Sequence, residues 1–397
     1  MLPRQHIALA MLLTGFVTLS CRLIPFESAA ISEPDAPQAV ISATPIAIAA
    51  QPLATDTPLP LPTSSPAANP TATFTPLPIV PPEPELRQLV QGGCCVQPFF
   101  SPDSQYVLFI DKPDTEAPVG VYGIDLSDPQ ATPALINDEI GFRSPDRTVV
   151  ATMNGNLAQF VDETSGERWS IDTDGNWPSY SPDSQQILWE ARDPEGPFDA
   201  RQTDVWVADE KGDNPRLVTT VRGGGVVGWL PDNQHLVLTS RDVPGEDRQT
   251  LWVLNMNTGQ KTVIASEKRL RSIAISPGGH WIVFFVTFSD TPGNSGIWIA
   301  NTEGTELRRL DVPGFGAYQW RTDTTLLYIP MRQTPEGGMQ LWSVDVAANT
   351  SQPLTDPQNL AFSISNGDWT VSPDGQNVVF VNSADQNLWL IRLNSLP

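Results

Sequence analysis

Beyond residue 85 the chain alternates short apolar runs with polar turns, and one turn keeps returning. FFSPDSQYVLFI, FRSPDRTVVATM, YSPDSQQILWEA, WLPDNQHLVLTS, ISPGGHWIVFFV, WRTDTTLLYIPM and VSPDGQNVVFVN carry it, with Pro102, Pro145, Pro182, Pro231, Pro277, Thr322 and Pro373 at the equivalent position. The copies recur at about 45 residues, the length of one four-stranded propeller blade. In each unit a short apolar strand enters the turn, where proline presets φ and Asp or Gly satisfies the bend. A second apolar strand such as VLFI or VVFV follows.

A variable loop then leads to a third strand, seen as VWVAD, LWVLN, IWIAN, LWSVD and LWLIR, and a fourth such as PRLVT or KTVIA. Tyr122, Trp206, Trp252, Trp298, Trp342 and Trp389 hold one place in the third strand, with Gln159 as the exception. An aromatic side chain recurring once per blade is expected to pack between blades. The last unit stops at LWLIRLNSLP without a fourth strand, and the repeat region opens with ELRQLV, which matches the missing type. Residues 86–91 are therefore expected to complete the final blade. The fold class expected is all-β: a seven-bladed β-propeller of four-stranded blades, occupying residues 85–397, after a disordered Pro/Thr-rich stalk.

The SPDG-type turn, followed by an apolar strand and a Trp-containing strand, resembles the TolB-type propeller repeat. That resemblance implies extracytoplasmic binding of protein or peptide, and it brings no catalytic residue that maps onto this chain. TolB is described with six blades, so a seventh unit is a departure.

Ahead of the repeats, Arg4 precedes an apolar run from Ile7 to Leu19 that is short for a membrane span. Thr18-Leu19-Ser20-Cys21 resembles the bacterial lipoprotein cleavage box, with Thr18 where such boxes usually carry Leu. Residues 1–20 are thus expected to be a lipoprotein signal peptide, with Cys21 lipidated. An ordinary secretory signal containing Cys21 would lead to the same compartment. Residues 21–84 are rich in Pro, Thr and Ala, and no Lys or Arg occurs between Arg22 and Arg87. Such a segment cannot bury enough surface to fold and reads as a disordered linker. The expected location is extracytoplasmic, anchored to a membrane of a bacterial cell envelope.

Charge and chemistry narrow the function. The 45 acidic against 23 basic residues give a net charge of -22, which would repel phosphate backbones, so no nucleic acid partner is expected. The three histidines, His6, His235 and His280, cannot build a zinc cluster or a Ser-His-Asp set, and the last two are expected on exposed hairpins. No G-x-S-x-G elbow occurs. No catalytic residue, metal or cofactor is assigned. Asp103, Asp146, Asp183, Asp232 and Asp374 recur at the first hairpin, and Asp125, Asp209 and Asp345 at the second, as turn chemistry requires.

Against this scarcity of cations, Lys112, Arg192, Arg241 and Arg332 each lie ten residues beyond the turn proline position, where the second strand enters its loop. They form a candidate basic ring for anionic groups at one channel mouth, the alternative being ion pairs with acids such as Asp193 and Asp242. Cys94 and Cys95 align with Gly223 and Gly224 on the same rim. Their state is left open between a vicinal disulfide, two free thiols and a metal or intermolecular link. The function expected is a binding module for a protein, peptide or cell-wall glycan at the propeller mouth. The alternatives are a propeller lyase or hydrolase acting on polysaccharide, and a structural scaffold in an envelope complex.

Overall fold

The computed structural model describes residues 84–393, less 92–96, 113–115, 139, 194, 198, 244 and 332–337. The segments expected to be a leader and a stalk, together with Cys21, Cys94, Cys95 and Arg332, lie outside the described residues. The rest is seven antiparallel sheets of four strands each. Blades 1 to 6 span residues 99–137, 142–172, 179–222, 225–268, 270–309 and 316–353. Blade 7 takes residues 364–392 and, as its outer strand, Glu85–Val90. That strand runs antiparallel to Leu388–Arg392, with Glu85 opposite Arg392 and Leu86 opposite Ile391. The ring is closed as the sequence implies, one residue earlier than expected.

The first strands of blades 7 and 1, of 6 and 7, and of 4 and 5 touch one another, so these strands line the axis. The connectivity then sorts the loops into two rims. First-to-second and third-to-fourth turns share one rim. Second-to-third loops and the crossings to the next blade share the other, called the loop rim below.

On the turn rim the SPD sequence explains its own geometry. Ser101 Oγ donates to Asp103 Oδ1 at 2.5 Å, and the same carboxylate accepts the Gln105 N–H at 3.1 Å. Ser144–Asp146, Ser181–Asp183 and Ser372–Asp374 repeat the bond at 2.5, 2.6 and 2.5 Å. The residue after Asp adopts the left-handed conformation, as at Ser104 (φ 60) and Asn233 (φ 60). Its side chain then reaches the neighbouring blade. The Asp374 N–H donates to Ser104 Oγ, the Asp146 N–H to Ser184 Oγ and the Asp183 N–H to Asn233 Oδ1, each at 3.1 Å.

Blade 5 has Gly278 where the carboxylate should be, and blade 6 supplies it. Asp323 accepts from Ser276 Oγ and, at 2.9 Å, from the Gly278 N–H, and its second oxygen meets His280 Nδ1 at 2.6 Å. Burial opposes ionisation of Asp323, but these hydrogen bonds outweigh it and hold the carboxyl below its usual range. His280 is exposed, as its hairpin position implies. His235 is half-buried instead, with Nδ1 on Asp232 at 2.5 Å and Nε2 accepting from Asn255 at 3.0 Å.

The second strands are buried on both faces, because every blade is covered by a neighbour on each side. This is why they read as unbroken apolar runs: Val107 to Phe109, Leu236 to Leu238 and Ile282 to Phe284 are all 5% exposed or less. Buried clusters join blades 2 and 3, 3 and 4, 4 and 5, 5 and 6, 6 and 7, and 7 and 1. Among the described residues no such cluster joins blades 1 and 2. A groove of about 580 Å³ lies there, lined by Phe99, Leu108, Ile136 and Phe142. The Glu163 carboxylate bridges it, accepting from Arg143 at 2.6 Å and Asn137 at 3.2 Å.

The third-strand aromatics face second-strand residues in register: Phe109 opposite Tyr122, Trp189 opposite Trp206, Phe284 opposite Trp298, Tyr328 opposite Trp342, Phe380 opposite Trp389. Gln159 occupies the same place opposite Thr152. Blade 2 recovers an aromatic stack one residue later, with Phe160 on Trp169 at 5.4 Å.

Candidate functional site

The polar tips of four of these aromatics brace the loop rim. Tyr122 OH donates to Pro118 O at 2.9 Å, Trp298 Nε1 to Asn294 O at 2.8 Å, and Trp389 Nε1 to Asp385 Oδ2 at 3.1 Å, in each case four residues back along the chain. In blade 4 Trp252 Nε1 bonds Ser240 Oγ at 3.0 Å instead. A residue type placed for packing therefore also fixes the second-to-third loop.

Four successive blades share a second bracing bond. The residue leaving the second strand donates its N–H to the carbonyl of the residue leading into the first strand of the same blade. The pairs are Arg241 to Arg222 at 2.7 Å, Thr287 to Arg269 at 3.3 Å, Met331 to Phe315 at 2.9 Å and Ser383 to Ser363 at 2.8 Å. These pairs stand side by side along the mouth. Their character changes from two arginines where blade 3 passes into blade 4, through Arg269 and Thr287 in blade 5, with Phe288 next along the chain, to Phe315 and Met331 in blade 6, and ends in two serines.

Arg192 and Arg241 lie at second-strand exits, and Lys112 does so in blade 1, exposed. Arg192 pairs with Glu190 at 2.6 Å rather than with Asp193. Arg241 gives Nη1 to Glu246 O at 2.6 Å, while its Nε is buried with no acceptor, and Asp242 takes Thr250. In blade 6 the first turn is one residue shorter, since Arg321 N bonds Thr325 O where other blades bond five residues on. Met331 consequently fills the place of Arg241.

Sequence reading misses Arg222, Arg269, Phe288, Phe315 and Met331. Distance from the turn cannot locate the lead-in residues, because bulges lengthen the first strands unequally, between Val226 and Gly228 and between Arg271 and Ala274. A usable signal was the triple glycine of blade 4. A Cβ at Gly223 would stand 2.1 Å from Asp199 O and 2.6 Å from Arg241 Cδ, and one at Gly224 would stand 2.1 Å from Thr239 O. Only glycine lets the chain pass beneath the Arg241 side chain.

Strained backbone collects in blade 5 on this rim. Arg269 (φ 57), Ser272 (φ 50) and Phe288 (φ 54) are non-glycine residues in the left-handed region, each costing about 1–3 kcal/mol. The Arg269 guanidinium lies 5.2 Å from the Phe288 ring centroid, and that ring is 70% exposed. Surrounding bonds hold the arrangement. Arg309 Nη1 donates to Gly293 O at 2.8 Å, Asn294 Nδ2 to Glu267 at 3.1 Å, and Tyr318 OH to Ser272 O at 2.6 Å. Burial pushes the Tyr318 phenol up, so it stays a donor at every ordinary pH. Asp290, 3.2 Å away, raises the Lys268 ammonium.

The two rims differ in kind. Val119, Ile140, Trp177, Val243, Phe288, Phe315 and Met331 are the exposed large apolar side chains that lie in connections, and all are on the loop rim. None lies in a first-to-second or third-to-fourth turn among the described residues. Among the described residues, the exposed side chains of Lys112, Arg222 and Arg271 on that rim have no ion-pair or hydrogen-bond partner. Among the described residues no three His, Cys, Asp or Glu converge as metal ligands. Asp368, in the first strand of blade 7, is the one described carboxylate raised above its usual range, by burial.

No family model matches the chain, and no curated protein matches it. Solved structures do. Oligogalacturonate lyase from Vibrio parahaemolyticus aligns with a TM-score of 0.53 at 13% identity, covering 78% of this chain and 97% of that one. An oligogalacturonate lyase in complex with manganese aligns at 0.55 and 14%, covering 80% and 97%. A putative TolB from Agrobacterium tumefaciens aligns at 0.37 and 17%, covering 76% and 91%. The likeness is one of fold.

Proposed function

We propose that the protein is an extracytoplasmic binding module, anchored through Cys21, whose recognition surface is the loop rim of the propeller. What carries the reading is the segregation onto that rim of the exposed apolar side chains that lie in connections, against self-satisfied Asp turns on the other. Exposed apolar surface costs free energy in water and is kept where a partner covers it. Loops of uneven length on a rigid ring are suited to recognition, and here indole and phenol tips hold them in place.

The test is capture from cell-envelope extract by the full-length protein. The double substitution Arg222→Glu with Arg269→Glu should abolish capture. Substitution on the turn rim at Lys211 should leave it intact. Capture that survives the rim change and is lost with the turn change would place recognition on the wrong rim. Incubation with oligogalacturonate, the substrate class named for the lyase propellers, should yield no unsaturated product.

A further inference from the structure

We infer that the crescent formed by blades 4 to 6 binds an acidic, apolar peptide segment of a partner protein, with its carboxylates on blade 4 and its apolar side chains on blade 6. The inference rests on the loop rim being the recognition surface and names what that surface takes. Arg222 and Arg241 adjoin through one backbone hydrogen bond, Arg269 and Thr287 through the next, and Phe315 and Met331 through the third. Cationic and apolar groups are therefore graded along one edge in a fixed order. Arg222, Arg269, Phe288, Phe315 and Met331 are all exposed.

The donors on this edge have few competitors of their own. Among the described residues Arg222 has no side-chain partner, and the Arg269 guanidinium meets only the Phe288 ring, whereas Arg241 is committed to the Glu246 carbonyl with its Nε buried. A peptide carboxylate would supply the paired, planar acceptor that guanidinium groups prefer. The apolar end is preorganised too. Phe315 packs edge-on against Phe285 with centroids 4.7 Å apart, which leaves 55% of it exposed, and Met331 beside it is 60% exposed. Methionine next to aromatic edges adapts to varied apolar side chains.

A glycan suits the edge less well. Sugar hydroxyls need acceptors as well as donors, and apart from the Thr287 hydroxyl, which already bonds the Arg269 carbonyl, the side chains named here offer donors and apolar surface. One face of Phe288, the ring best placed for stacking, is already covered by Arg269. The strained backbone at Arg269 and Phe288 marks the same sector independently, since left-handed non-glycine residues persist where the surroundings hold them for a purpose.

Calorimetry on the full-length protein tests this with three probes: a capped peptide alternating Glu and Phe, its Lys and Phe counterpart, and oligogalacturonate. The Glu/Phe peptide should bind, and the Lys/Phe peptide should bind at least about tenfold more weakly. Arg222→Glu and Phe288→Gly should each weaken the Glu/Phe peptide about tenfold, and Arg168→Glu, away from the crescent, should not. Phe288→Gly cannot lose binding through misfolding, because glycine accepts the backbone angle better than phenylalanine does. Equal binding of the two peptides overturns the inference, as does failure of the Glu/Phe peptide to bind. Oligogalacturonate binding that Arg222→Glu abolishes, with no peptide binding, would also overturn it while leaving the loop rim as the recognition surface. Loss of that surface altogether is read separately, from envelope capture that the rim substitutions do not change.

Discussion

At the scale of the residue, Asp323 shows how a repeat survives the loss of its own signature. Blade 5 lacks the turn carboxylate, and blade 6 lends one across the junction through Ser276, Gly278 and His280. A carboxyl held below its usual range stabilises the fold above the unfolded value near 3.8 and loses that contribution as pH falls through the lower folded value. Asp323→Ala should therefore destabilise the fold at pH 7 by about 1 kcal/mol for a part-exposed network, read as a lower melting temperature. The gap from wild type should narrow below about pH 4. A gap that stays constant with pH would assign the effect to packing instead. Phe288→Gly should act in the opposite direction, raising thermal stability by about 1 kcal/mol through relief of left-handed strain. Asp368→Asn should also stabilise at neutral pH. Its raised pKa means that the charged form is the costly one, so the gain should vanish in acid, where both forms are neutral.

At the scale of the element, the third strand does two jobs with one side chain. Trp298 packs through its ring against the apolar cluster joining blades 4 and 5 and ties the blade 5 loop through its N–H. Trp298→Phe keeps most of the ring and removes the tie, so hydrogen exchange in residues 287–295 should quicken while global stability falls by about 1 kcal/mol. Unchanged exchange would mean that Arg309 and Asn294 suffice. The legibility of the sequence divides along the same line. Strands and turns were readable because each unit repeats the same local chemistry: a proline-set φ, an Asp acceptor, a run buried on both faces. The mouth was not. Its residues meet through bulged first strands and a shortened turn in blade 6, so a fixed offset of ten found Arg241 but passed over Met331. The Asp193 and Asp242 expected as ion-pair partners were displaced by closer acceptors, Glu190 and the Glu246 carbonyl.

At the scale of the molecule, the ring is unevenly glued. Apolar clusters join six of its junctions, whereas blades 1 and 2 meet across a groove bridged by Glu163. Cooperative units bounded by few buried contacts open first. Amide exchange should thus reach the second strands of blades 1 and 2, Tyr106–Asp111 and Val149–Asn154, before those of blades 4 and 5. Glu163→Gln should hasten that opening and leave exchange in blades 4 and 5 unchanged. If all second strands exchange together, the ring unfolds as one unit and the groove is no seam.

The strand Glu85–Val90 closes the ring, and it is also the point at which everything upstream is attached. Any tension carried by the preceding chain is delivered to Glu85, opposite Arg392, at the turn-rim end of that strand. Load along the strand shears all its backbone pairs with Leu388–Arg392 together, whereas load across the sheet breaks them one at a time. The protein's resistance to force is accordingly a matter of direction. The chain's entry into the ring and the ring's closure are the same six residues.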